Sequence, residues 1–293
     1  MAIDLDLLLK AYGSGIFPMA DARDDPETFW VEPKTRAVLP LDGFRMSRSL
    51  RKTIRSDRFQ VTTDTVFTDV ISICAEAADD RRETWINAEI EEAFCMLNKQ
   101  GLAHSVECWS VDESGHKSLV GGLYGLVIGG AFCGESMFSR SRDASKVALA
   151  WLVARLNVGR FKLLDCQFMT DHLASLGAIE ISQDEYVEKL SAAQDYHSPA
   201  FSAIKSPMGS DDSGTGSGAT SGGTSGTGRT GAEGVVGTGA TSSTLVSAPS
   251  FAALDVLLAR FDEDERGAVG LTESSGGFSS PGKLIAQLLT QTS

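Results

Sequence analysis

The sequence predicts an α+β domain built on one mixed sheet, preceded by a small N-terminal unit. Three observations carry that reading. Apolar strand patterns cluster between Ala103 and Phe138, a long apolar helix pattern follows, and a strand and a helix then close the segment near Leu190. The expected boundaries are 1–62 for a small N-terminal domain with a basic segment, 63–200 for the α+β domain, 201–247 for a linker and 248–293 for a tail.

The elements follow from local pattern. In "INAEIEEAFCMLNKQG", Ile86, Ile90, Phe94 and Leu97 recur at helical spacing, and Gly101 is placed to end the helix. "AHSVECWSV" and "SLVGGLYGLVIGG" read as strands joined by a turn that contains Gly115. "AFCGESMF" is a third strand. "DASKVALAWLVARLNVG" is a helix with Asp143 as N-cap and Gly159 near its C-terminus. It is apolar around most of its circumference, so it should be buried. "FKLLDCQ" is a buried strand, and "SQDEYVEKL" a helix that starts near Ser182.

Between Gly209 and Ala240, 12 of 32 residues are Gly and most others are Ser, Thr or Ala. That composition suits a disordered linker with too little apolar mass to fold. After it, "FAALDVLLARF" has helical spacing, and "PGKLIAQLLTQTS" fits a short helix or a strand. A unit of about 45 residues is marginal alone without metal or disulfide, so the tail is expected to dock on the body.

Composition narrows the function classes. The start "MAIDLDLLLKAYGSG" lacks the basic flank and cleavage site of a secretory signal. The longest uncharged stretch, "LVGGLYGLVIGGAFCG", is Gly-rich and shorter than the ~20 residues a membrane helix needs. Cys74, Cys95, Cys108, Cys133 and Cys166 are scattered with no CxxC pair, which suits reduced thiols in a cytoplasm. Four histidines without HxH or HxxxH spacing argue against a metal. The net charge of -13 is uneven: Lys34 to Arg58 carries eight basic and two acidic residues, +6, which leaves -19 elsewhere. Such a segment can bind phosphates on an acidic protein, although by itself it reads first as a solvated basic helix.

Two strands carry groups that packing does not need. Asp165 and Gln167, two apart, would leave one face of a strand, and Glu135 sits between Gly134 and Ser136. An acid and an amide at the end of a buried strand are costly unless they meet partners or a solvated cleft. The plain alternative is a carboxylate that caps a helix or pairs with Arg140 or Arg142.

"GIFPM" at Gly15–Met19, "TWI" at Thr84–Ile86, "AHSVE" at Ala103–Glu107, "GGLYG" at Gly121–Gly125, "FCGESMFSR" at Phe132–Arg140 and "DCQ…DHLASLGA" at Asp165–Ala178 occur in that order. This set resembles the leucyl/phenylalanyl-tRNA–protein transferase family over roughly Leu5 to Leu190. The resemblance implies a GNAT-like acyltransferase fold for the main domain. It implies transfer of Leu or Phe from aminoacyl-tRNA to the α-amine of acceptor proteins with N-terminal Arg or Lys, marking them for degradation through an N-degron pathway. It calls for no cofactor, metal, membrane or DNA.

On that resemblance Asp165, Gln167 and Glu135 are the catalytic candidates. Asp165 would hold the attacking amine, and Gln167 would donate to the carbonyl or accept from the amine. Glu135 would meet the Arg or Lys side chain; alternatively it orients Gln167 or holds Arg140. The family's aminoacyl pocket maps onto Leu123, Phe132, Met137, Leu149, Leu152, Leu156 and Leu164. Trp85 matches a tryptophan that stacks on the terminal adenine. Met19 stands where some members carry a second tryptophan, so adenine would meet a thioether there. Arg45, Arg48, Arg51, Lys52, Arg55 and Arg58 are the tRNA-binding candidates.

Two other functions are weighed. A coenzyme A-dependent acyltransferase needs a glycine-bearing loop before its long helix to admit pyrophosphate, and "SRSRDASK" has no glycine. A non-catalytic tRNA-binding module would have no need for Glu135, Asp165 and Gln167.

Overall fold

The computed structural model describes residues 3–76, 84–195, 248–267 and 280–291. The linker expected at 201–247 lies outside the described residues. Helix α1 (Leu5–Gly13) starts at Asp4, whose side chain accepts from the Leu7 N–H at 2.9 Å. Strands β1 (Phe17–Met19) and β2 (Phe29–Val31) pair as a separate antiparallel ribbon.

The main sheet has seven strands: β3 (Thr35–Val38), β4 (Gln60–Thr63), β5 (Ala103–Val111), β6 (Lys117–Ile128), β7 (Ala131–Ser139), β8 (Leu163–Asp165) and β9 (Ile179–Ser182). Their spatial order is β4-β5-β6-β7-β8-β3-β9, antiparallel throughout except for the β7–β8 pair. The expected boundary at residue 62 falls inside β4. With β3 seated between β8 and β9, the first 63 residues give two strands to the main sheet.

The parallel pair needs a crossover, and α5 (Ala144–Val158) supplies it. From Ala144 to Leu156 every residue but Lys146 is buried, as the all-round apolar pattern requires. Asp143 corrects one expectation. It occupies the N-cap position at φ +69° and its side chain makes no cap hydrogen bond. The Ser145 N–H instead donates to the Ser139 hydroxyl at 3.3 Å. On the other sheet face lie α3 (Phe67–Cys74) and α4 (Ala88–Lys99), the latter capped by Asn87. Helix α2 (Arg48–Arg55) lies against α5, while α6 (Asp171–Ser175) and α7 (Gln183–Gln194) flank β9 in sequence.

A bulge interrupts the central strands. Tyr124 opposes Ser136 and Gly125 opposes Gly134, so Glu135 is the extra residue on β7. The close approach there requires Gly125, where a Cβ would lie 2.3 Å from the Cys133 carbonyl oxygen.

The described residues of the tail form two helices, α8 (Ala253–Gly267) and α9 (Pro281–Gln291), which pack on α5 and on α2. Phe251 stacks against His104 and Phe132 at centroid distances of 4.0 and 5.6 Å. Buried Arg155 donates to the Phe251 carbonyl (2.8 Å), to both Asp255 carboxylate oxygens (2.6 Å each) and to the Thr63 hydroxyl (2.8 Å). Phe251, Leu254, Ile285, Ala286 and Leu289 belong to the same core cluster as α5. Among the described residues no helix is long and apolar enough to cross a membrane.

This packing makes the tail part of the core. Phe251→Ala should destabilise the whole body by about 3–5 kcal/mol, the usual cost of deleting a buried aromatic ring. A denaturant midpoint equal to that of the unsubstituted chain would show that the tail only rests on the body.

Candidate active site

Parallel pairing of β7 and β8 ends at Cys133 opposite Asp165. Beyond that point Gly134–Arg140 and Cys166–Phe168 border a cavity of about 920 Å³ that draws on residues from both sheet faces. Its apolar, buried part is lined by Leu123, Leu149, Leu152, Leu164 and Leu173, with half-buried Met137. Buried Phe17, half-buried Met19 and Trp85 and exposed Phe168 also line the cavity. A hydrogen bond from the Ala20 N–H to the Trp85 carbonyl (3.1 Å) brings the Met19 and Trp85 segments together.

Two of the seven expected pocket residues are elsewhere. Phe132 and Leu156 are fully buried and do not line the cavity. Phe132 pairs with Leu164 and shares its sheet face, but its ring packs against Phe251 of the tail and not into the cavity. Sequence reasoning missed Phe17, Phe168 and Leu173, which reach the cavity from loops or from outside the matched helix face.

Glu135 owes its place to the bulge, since an unpaired extra residue can be aimed away from the pleat. Its Oε1 accepts from the Gln167 Nε2 at 3.2 Å. It borders the cavity and is half-buried. Burial pushes its pKa from the ordinary 4.5 up to about 8, with the Asp165 charge adding to the rise and the Tyr12 hydroxyl and Arg36 opposing it. Tyr12 lies near this carboxyl without meeting hydrogen-bond geometry. Arg140, an alternative partner for Glu135, pairs instead with Glu76 at 2.7 Å.

Asp165 is fully buried and its partner is Arg36, neither Arg140 nor Arg142. The Arg36 Nε and Nη2 donate to Oδ1 (2.9 Å) and Oδ2 (2.6 Å), and the Tyr186 hydroxyl donates to Oδ2 at 3.0 Å. The Arg36 Nη1 donates to the Gly15 carbonyl at 2.8 Å, and its guanidinium lies over the rings of Phe17 (4.6 Å) and Tyr186 (4.3 Å). Burial alone would lower the Arg36 pKa, but the Asp165 hydrogen bonds and charge carry it above the ordinary arginine value. Burial likewise raises Tyr186, so its hydroxyl stays a donor.

Gln167 is reached through that pair. β8 ends at Asp165, so the expected strand alternation does not extend to Gln167. Gln167 takes φ +54°, its N–H donates to the Asp165 Oδ1 (2.9 Å), and its carbonyl accepts from the Ala37 N–H (3.0 Å). A non-glycine residue in that region costs of order 1–3 kcal/mol and persists only where its surroundings hold it. Here they do: the amide is fixed in the cavity wall with Nε2 on Glu135, and the oxygen is the other arm of the same planar group.

Burial pushes the Cys166 thiol up, so this cavity-lining cysteine is not poised as a nucleophile. Among the described residues no three of His, Cys, Asp or Glu converge to hold a metal ion. Away from the cavity, Arg45, Arg48, Arg51, Lys52, Arg55 and Arg58 are all exposed on or beside α2. Arg36, counted in the same basic segment, is instead buried beneath the site.

The sequence model of the leucyl/phenylalanyl-tRNA protein transferase family matches residues 38–191, and that of the family's N-terminal domain matches 1–34. Among curated relatives called leucyl/phenylalanyl-tRNA–protein transferase, one from Rhizorhabdus wittichii is 62% identical over 192 residues, 66% of this chain and 75% of its own. One from Zymomonas mobilis is 60% identical over 191 residues, 65% of this chain and 69% of its own. One from Novosphingobium aromaticivorans is 47% identical over 293 residues, covering 100% of this chain and 97% of its own.

The Glu135 environment predicts a pH signature. An acid whose pKa rises on folding holds more protons when folded, so its contribution to stability is fully present below about 4.5 and is lost as pH climbs through about 8. The stability difference between the unsubstituted chain and Glu135→Gln should therefore drift in favour of the variant from pH 5 to 9. Parallel stability profiles for the two proteins would contradict a raised Glu135 pKa.

Proposed function

We infer how this chain works from its family and its cavity together: it belongs to the leucyl/phenylalanyl-tRNA–protein transferases. It moves Leu or Phe from aminoacyl-tRNA to the α-amine of proteins that begin with Arg or Lys. The observation that carries the mechanism is the Glu135–Gln167 pair, set in the wall of a cavity that leucine and aromatic side chains also line.

The reaction is aminolysis of an ester. The N–C bond forms, the bond from the carbonyl carbon to the ribose oxygen breaks, the amine loses a proton and the ribose oxygen gains one. An α-amine titrates near ~7.7–8.0, so a sizeable minority is neutral at pH 7 and needs positioning more than a strong base. The Gln167 amide oxygen, the arm not bonded to Glu135, accepts from the attacking amine and favours the positive charge that develops on nitrogen. Asp165 acts one step back. All its lone pairs are used by Arg36, Tyr186 and the Gln167 N–H, so it positions the amide instead of touching the amine.

Glu135 meets the acceptor's first side chain. Its carboxyl is largely protonated at neutral pH in the free enzyme, and an arriving guanidinium or ammonium favours its ionised form. A neutral side chain gives no such gain, which discriminates against it. The leucine-lined part of the cavity takes the unbranched-at-Cβ Leu or Phe side chain, while Trp85 and Met19 take the terminal adenosine. The exposed cations of α2 hold the tRNA stem. The protein works in the cytoplasm, where charged tRNA is made.

Labelled leucyl-tRNA offered with Arg-start and Ala-start peptides tests this reading, with acetyl-CoA as the rival donor. Label should reach only the Arg-start peptide, and acetyl transfer should be absent. Glu135→Gln should raise the KM for that peptide roughly ten-fold or more, the worth of a charge-assisted hydrogen bond, with little change in tRNA affinity. An unchanged peptide KM would remove Glu135 from acceptor recognition.

A further inference from the structure

Helix α2 cannot be accounted for by its own residues. It has eight residues, of which only Leu50 and Ile54 are buried, and four cations spaced so that they repel one another. Two turns of such a helix are marginal alone. Besides α5, its support comes from α9, beyond the residues that the family models match. The Gly282 N–H donates to the Asp57 carboxylate at 2.8 Å, and a Cβ on Gly282 would lie 2.0 Å from the Ile54 carbonyl oxygen. The first turn of α9 thus rests directly on the last turn of α2. Ile285, Ala286 and Leu289 then share one core cluster with Leu50 and Ile54.

Between these helices and the loop before α2 lies a groove of about 790 Å³. Arg45, Ser47 and Arg51 line it on one side, and Leu289 and Thr290 of α9 on the other. Among the described residues neither arginine makes an ion pair, and Asp42 is the sole acid in the lining. α9 itself carries no acid, although the chain outside the basic segment is strongly negative.

We propose that this groove takes the phosphodiester backbone of the tRNA donor, with α9 as its second wall, so that the tail belongs to the donor-binding surface. This rests on the reading of aminoacyl-tRNA as donor. Charge decides for an anion: two unpaired guanidiniums outweigh both Asp42 and the roughly half negative charge at the C-terminal end of α9. Guanidinium also matches phosphate geometry bidentately.

Thr290 is exposed and among the described residues its hydroxyl bonds only back to its own helix, so charge can be placed there without disturbing the core. The test compares the full chain with Thr290→Glu and Thr290→Lys. The readouts are affinity for charged tRNA across a salt series, transfer from aminoacyl-adenosine, and the unfolding midpoint. Thr290→Glu should weaken tRNA binding several-fold at low salt and flatten its salt dependence. Thr290→Lys should tighten it and steepen the slope by up to roughly 0.7–0.9, one phosphate contact. Transfer from aminoacyl-adenosine and the midpoint should not change. Opposite shifts are what a phosphate in the groove requires. If both variants bind as the unsubstituted chain does, while that chain binds with a steep salt slope, the groove proposal fails and the donor reading stands. Equal weakening by both would make α9 a brace alone, and loss of aminoacyl-adenosine transfer would place the effect outside the groove; either overturns the proposal. If the unsubstituted chain does not bind charged tRNA, both readings fall together.

Discussion

The buried pair of Arg36 and Asp165 is the interaction on which the site depends. Two charges removed from water cost several kcal/mol each, and the loss is offset only where geometry is good and the remaining lone pairs are satisfied. Here they are: the pair is bidentate, Tyr186 and the Gln167 N–H take the remaining lone pairs of the carboxylate, and the guanidinium lies over two aromatic rings. The pair also joins distant parts of the chain. Arg36 comes from β3, Asp165 from the end of β8 and Tyr186 from α7, and Gly15 ties in the loop that leads into β1. One buried cation thus sets the relation between the N-terminal ribbon and the catalytic wall.

What the pair fixes is a break in regular structure. β7 and β8 are held together for three residues and then part, and the cavity occupies the gap. On one side the bulge ejects Glu135; on the other the left-handed Gln167 turns its amide to meet it. Neither departure would persist on local preference. The strain at Gln167 is carried by Asp165 and Ala37, and the tight β6–β7 crossing by the absence of a side chain at Gly125.

Much of the fold was legible because its signals are periodic. The helix over Ala144–Val158 reads as buried from its apolar circumference, and the Gly115 turn and the Ser182 start follow from turn and cap chemistry. Glu135 and Gln167 were legible for the opposite reason, as polar residues that break an apolar pattern. Arg36 was not. Within a run of cations it counts as one more surface charge, and nothing in its immediate sequence reports a partner 129 residues away. Asp143 has the residue type of an N-cap but a backbone that turns its side chain from the helix. Phe132 and Leu156 were placed in the pocket by match, whereas which way an apolar side chain points depends on packing against the tail and the sheet.

The central claim is that the ion pair serves the reaction by holding Gln167, beyond any service to stability. Unfolding and leucyl transfer measured together on Arg36→Met, Asp165→Leu and the double variant test it most directly. Each single variant should be destabilised by about 3–5 kcal/mol, since one buried charge is left alone, and the apolar pair should recover most of that loss. Transfer should stay abolished in the double variant, because the Gln167 N–H then has no acceptor and the amide is no longer held toward Glu135. A double variant that regains transfer along with stability would contradict the account.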